Sequence, residues 1–147
     1  MRSSILSYLS LAPILGLALG LSTSACVVST APAARPAEAH AERNGFVYLG
    51  ERFVNGSVDH DVLPVGRADG RFSQLMIVVE RSPVEVYDMI VTFGDGQRWE
   101  PRTRLVFGRD TTSRAIDLPG GARTIRRVDF RYGNLGARDA KVELWGR

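Results

Sequence analysis

Phe72-Ser73-Gln74-Leu75-Met76-Ile77-Val78-Val79-Glu80 is the stretch on which the fold class turns. Successive side chains of an extended chain point to opposite faces, so Leu75, Ile77 and Val79 share one face and Met76 and Val78 the other. Apolar residues on both faces mark a central strand, buried on two sides. Downstream, Val84 to Phe93 reads as a second long strand, with Val84, Val86 and Ile90 on one face and Tyr87, Met89, Val91 and Phe93 on the other, ending at the Gly94-Asp95-Gly96 turn. Upstream stand Phe46 to Leu49, Arg52 to Val54 with the hairpin dipeptide Asn55-Gly56, Val58 to Val62, Leu63 to Val65 and a loop from Gly66 to Gly70. Further strands are expected at Arg102 to Phe107, Arg114 to Leu118, Thr124 to Tyr132 and Lys141 to Trp145. No segment keeps a helical period, and turn signals recur about every ten residues. Residues 45–147 are therefore predicted to be all-β, an antiparallel β-sandwich of about eight or nine short strands.

In Thr124-Ile125-Arg126-Arg127-Val128-Asp129-Phe130-Arg131-Tyr132, the residues Val128, Phe130 and Tyr132 alternate in phase while Ile125 does not. A β-bulge at Arg126-Arg127 would return Ile125 to the core and re-aim two arginines.

The N-terminal third reads differently. Arg2 precedes an uncharged run from Ile5 to Leu21, interrupted by Pro13, Gly16 and Gly20, which is the pattern of a secretory leader rather than of a membrane span. The run ends at Leu21-Ser22-Thr23-Ser24-Ala25-Cys26, the only cysteine in the chain. Two cleavage readings stand. In one, the stretch up to Cys26 resembles the lipobox of bacterial lipoproteins, with Thr23 where that pattern prefers Leu, which implies that residues 1–25 are a signal peptide and Cys26 the lipidated N-terminus; in the other, an ordinary peptidase cuts after Ala25 or Ala31. Lipidation accounts for a lone cysteine in an exported chain, which can form no internal disulfide. By resemblance to known lipoproteins, Val27 after the cysteine in place of an Asp implies sorting to the outer membrane, with the domain facing the periplasm. Residues 26–44, with Pro32, Pro36 and repeated alanines, are expected to be a disordered tether, and His40 a solvated residue in it.

The formal charge is +3 at pH 7, which falls to +2 once Arg2 leaves with the leader. Lys141 is the single lysine, so the basic residues are nearly all arginine. Near-balanced charge without aromatic platforms on a basic face gives no reason to expect nucleic acid.

Leu49-Gly50, the strand Leu75 to Val79, Met89 to Phe93 before its glycine turn, Ile116-Asp117-Leu118, and Thr124-Ile125 followed by Val128-Asp129-Phe130 resemble a family of small exported bacterial proteins, domain of unknown function 2541. The resemblance spans roughly Phe46 to Gly146. It implies an all-β envelope protein and supplies no activity, ligand or functional residue. Some members carry cysteines in the domain; here there is none past Cys26, so no disulfide is carried over.

Residues able to do chemistry are few. The folded part holds one histidine, His60, with no nucleophile-elbow pattern to go with it, so no catalytic residue and no cofactor is expected. Asp59 and Asp61 flank His60 and are the weak candidates for a metal. Trp99, with the arginines Arg123, Arg126, Arg127 and Arg131, forms the candidate binding set: an indole can stack on a sugar ring, and guanidinium forks match carboxylates and phosphates. Trp145, beside Val142 and Leu144, is expected in the core. These readings favour a binding or structural domain at the envelope, its partners a membrane through the lipid and an envelope glycan or protein. A small periplasmic hydrolase and an accessory subunit of an envelope assembly are the alternatives.

Overall fold

A computed structural model describes residues 35–101 and 104–147. Among these residues, ten strands and one α-helix run in the order α1 (Pro36–Arg43), β1 (Val47–Val54), β2 (Asp59–Pro64), β3 (Gln74–Glu80), β4 (Val84–Phe93), β5 (Arg98–Trp99), β6 (Leu105–Phe107), β7 (Thr111–Thr112), β8 (Ile116–Asp117), β9 (Ile125–Asn134) and β10 (Ala140–Gly146), with a single 3-10 turn, Arg67–Asp69, between β2 and β3. All pairings are antiparallel. One sheet has the order β1-β10-β3-β7, with β8 also on β3; the other has β2-β9-β4-β5, with β6 also on β4. This is an all-β sandwich.

The core lies between the sheets. From the first sheet come Leu75, Ile77 and Val79 of β3 with Ala140, Val142 and Leu144 of β10; from the second come Val84, Val86, Met89, Val91, Phe93, Val128, Phe130 and Tyr132. The expected bulge in β9 is present: Thr92 lies opposite Arg127 and Phe93 opposite Ile125, leaving Arg126 as the extra residue and Ile125 fully buried. A second bulge changes the reading of β4. Val86 faces Tyr132 and Asp88 faces Arg131, so Tyr87 is the extra residue and the inward phase switches from Val84 and Val86 to Met89, Val91 and Phe93. Both halves of β4 thus face one core, and Ile90 faces outward.

The other face of β3 is covered by α1, and here the expectation of a tether reaching residue 44 is corrected. Pro36 occupies the first turn, where no N–H is needed, and the Glu38 carboxylate accepts the Arg35 backbone N–H at 3.0 Å. Asn44 closes the last turn onto the His40 carbonyl at 2.7 Å. Ala37 and Ala41, one turn apart, are buried against Phe46, Met76, Val78 and Trp145. Composition alone misleads because the sheet supplies the apolar surface; the helix needs only side chains small enough to approach it. Residues 1–34, including Cys26, lie outside the described residues.

Candidate functional site

The loops before β3, after β4 and before β9 meet at one end of the sandwich. Phe72 and Arg123 exchange backbone hydrogen bonds of 2.9 and 2.8 Å, and Gly94 N–H donates to the Thr124 carbonyl at 2.8 Å. A Cβ on Gly94 would come within 3.3 Å of Thr124, so the absence of a side chain there permits this close seam. Beside it opens a cleft of about 320 Å³ lined by Arg67, Arg71, Phe93, Gly94, Asp95, Arg123 and Thr124. An adjoining hollow of about 300 Å³ shares Arg67, Gly94 and Thr124 and adds Arg126.

Two of the four arginines are held in place. Arg71 donates from Nε and Nη2 to the Ala122 carbonyl at 3.0 and 2.6 Å. Arg123 lies 3.7 Å over the Phe93 ring and donates to Asp95 at 2.6 Å and Gln97 at 2.9 Å. The Gln97 backbone N–H, and then Arg123, hold the Asp95 carboxyl below its ordinary pKa, so it stays charged. Arg67 and Arg126 are exposed and have no side-chain partner among the described residues. The cleft thus sets three guanidinium groups beside one carboxylate, and a fourth, Arg126, lines the adjoining hollow; forks of this kind match the oxygens of an anion.

The expected binding set is divided. Arg123 lines this cleft and Arg126 the hollow adjoining it. Arg127 pairs with Asp129 at 3.1 Å on the outer face of its sheet, and Arg131 stands on that same face opposite His60 and Asp88. Trp99 lies opposite Val91 and packs against the core, on the other side of the sheet from Arg127. Trp99 and Arg127 cannot form one surface. Arg67 and Arg71 were not legible as partners, because they are brought in by ties between distant stretches of sequence, the Val65 N–H to the Arg126 carbonyl and the Phe72–Arg123 bridge.

The metal candidates also find other roles. Asp61 accepts the Tyr132 hydroxyl at 2.6 Å, and burial together with that bond pushes the phenol pKa up. Asp59 accepts the His60 backbone N–H at 2.9 Å. Among the described residues, the three acids close enough to share a cation are Glu38, Glu80 and Glu143, with ligand atoms within 4.8 Å of one another. The Lys141 ammonium already stands among them, bonded to Glu143, 2.8 Å from Glu80 and 3.4 Å from Glu38 and Glu51.

A family model described as a domain of unknown function (DUF2541) matches residues 20–146. The chain belongs to that family. No curated protein and no solved structure matches it. The DUF2541 match spans every described element, so the arginine cleft lies within the family's domain.

Proposed function

We propose that this is an exported binding protein, held at the bacterial envelope by a lipid on Cys26, whose β-sandwich recognises anionic groups at the arginine cleft. The observation that carries the ligand site is the gathering of Arg67, Arg71 and Arg123 in one cleft, with Arg126 in the hollow that adjoins it, where Asp95 is the one acidic side chain in the lining of either among the described residues. Charge-assisted hydrogen bonds to phosphate or carboxylate oxygens are the interactions such a site offers, and an anionic envelope glycan would present them in repeat. The address is supported by the uncharged leader and the small residues before Cys26, and Val27 supports the outer membrane, facing the periplasm.

Titration of the purified domain with inorganic phosphate and with oligogalacturonate, followed calorimetrically, should show saturable binding to at least one. Arg67→Gln and Arg126→Gln should each weaken it about tenfold or more, since a hydrogen bond to a charged group contributes roughly 1.5 to 3 kcal/mol. Both variants should melt within a few degrees of the parent, their side chains being exposed. Absence of saturable binding to either probe would refute the ligand site.

The anchor has its own test. Cells producing the full chain should incorporate labelled fatty acid into it, and Cys26→Ala should abolish the label and release the domain from membranes. A wild-type chain that is unlabelled and wholly soluble on fractionation would refute lipidation.

A further inference from the structure

The opposite end of the sandwich carries a second group of features that the arginine cleft does not use. There the β1–β2 turn, the β3–β4 turn and the β9–β10 loop are tied together by Asn134. Its Nδ2 donates to the carbonyls of Val54, at 3.1 Å, and Arg138, while its Oδ1 accepts from Ser82 Oγ at 3.0 Å and from Gly136 N–H at 2.9 Å. Asn134 N–H adds a bond to the Gly56 carbonyl and Leu135 N–H one to the Pro83 carbonyl, both 2.9 Å. The loops form a fixed platform.

Large apolar side chains stand out from it: Val58 is 68% exposed, Leu135 52% and Phe53 45%. Single exposed apolar residues are ordinary, but three gathered on one hydrogen-bonded platform form a surface suited to an apolar partner. Arg81, Arg109 and Arg138 line a cleft of about 380 Å³ at the same end, together with Asp110 and Asp139, and the Arg81 guanidinium lies 5.1 Å over the Phe53 ring. Arg81 and Asp110 both hold left-handed backbones, φ 70° and 57°, which residues with side chains rarely adopt, and the Arg81 N–H donates to the Asp110 carboxylate at 3.2 Å. Guanidinium groups beside exposed apolar tips suit the boundary between lipid headgroups and acyl chains.

The chain also enters at this end. Arg35 pairs with Glu80, the last residue of β3, so everything before residue 35 is joined to the domain beside the β3–β4 turn. Eight residues, 27–34, separate Arg35 from Cys26, a reach of at most about 30 Å when fully extended.

We propose that this end docks on an anionic bilayer, Val58, Leu135 and Phe53 entering the interfacial region and Arg81, Arg109 and Arg138 meeting the headgroup phosphates. The orientation rests on the proposed lipid anchor at Cys26. It turns the Arg67–Arg126 cleft, at the other end of the sandwich, away from the membrane.

The test uses residues 26–147 carrying Cys26→Ala, which keep every described element and have neither leader nor lipid, with phosphatidylcholine vesicles made with and without phosphatidylglycerol. The protein should co-float with the anionic vesicles only and be released by high salt, while free inorganic phosphate at matched ionic strength should not compete. Arg81→Glu with Arg138→Glu should lower partitioning about tenfold or more, at roughly a factor of five for each basic charge lost near the surface. Val58→Asp with Leu135→Asp should lower it similarly, and Arg67→Glu with Arg126→Glu should leave it unchanged. Circular dichroism and melting confirm that each variant is folded. No partitioning, equal partitioning on neutral vesicles, or the same loss from the cleft variants would overturn the docking face. Loss of phosphate binding in the cleft variants with vesicle binding intact would support it, and the two proposals fail separately. Fatty-acid labelling of the full chain tests the anchor independently of both.

Discussion

Replacing Lys141 with methionine is expected to destabilise the domain by about 3 to 5 kcal/mol, the cost of removing one partner from a buried ion pair. The ammonium lies among Glu38, Glu51, Glu80 and Glu143, and the Glu80 side chain is fully buried. Without Lys141, Arg35 would be the one cation left in an ion pair with these acids among the described residues, where Glu80 Oε1 already has no hydrogen-bond partner. Methionine fills much of the volume, so lost charge rather than a cavity decides the result. Lys141→Met combined with Glu80→Gln and Glu143→Gln should recover most of the loss, because neutral amides need no counter-charge. A single variant that unfolds in urea at the parent's midpoint would contradict this account.

The same cluster predicts how stability depends on pH. Burial alone would lower the Lys141 pKa, but Glu143, then Glu51 and Glu38, outweigh it and hold the ammonium above its usual 10.5. Its contribution is fully present below 10.5 and is lost as pH rises through the higher folded value. Glu38 is the mirror case. Burial would raise its pKa, yet the Arg35 backbone N–H and then Lys141 hold it below the usual 4.5, so its contribution is present above 4.5 and is lost as pH falls through the lower folded value. The stability gap between the parent and Lys141→Met should therefore be level across neutral pH and narrow at both extremes.

Trp145→Ala should be comparably severe, about 3 to 5 kcal/mol. The ring is 5% exposed, meets Tyr48 edge-on with centroids 5.6 Å apart, and donates from Nε1 to Glu143 at 2.9 Å. Truncation removes the surface on which Ala37 and Ala41 rest and takes a donor from a buried carboxylate. Helix α1 should loosen first, so trypsin should reach Arg43 much sooner than in the parent. Trp99→Ala, at a half-buried position on the rim of the other core, should cost less, about 1 to 2 kcal/mol. Equal melting of parent and Trp145→Ala, with Arg43 still protected, would refute this packing role.

What the sequence disclosed depended on how local the signal was. Ile125 stood out of phase with three well-placed neighbours, so the bulge at Arg126 could be read directly. The bulge at Tyr87 was hidden, because β4 carries apolar residues in both phases and either register looked satisfied. Strand β3 announced through Met76 and Val78 that its second face is buried, but not what buries it. Two alanines in a polar helix carry too little apolar signal to be matched with that face. At the cleft, Arg123 and Arg126 were visible as part of a basic run, whereas Arg67 and Arg71 join them only through pairing between distant strands. Alternation along β9 placed Arg127 and Arg131 on one face; that Trp99 lies on the other follows from its pairing with Val91.

The pairing of β1 with β10 bears on when this chain can fold. Val47 lies opposite Gly146 and Val54 opposite Ala140, while Asp59 of β2 waits for Tyr132. Closing such ladders spans most of the domain, and all-β proteins dominated by such distant pairings fold in milliseconds to seconds rather than microseconds. A chain emerging from its N-terminus can complete neither sheet until β9 and β10 have appeared. Until then it lacks a finished tertiary structure, and the order of its strands holds both sheets open until synthesis is nearly over.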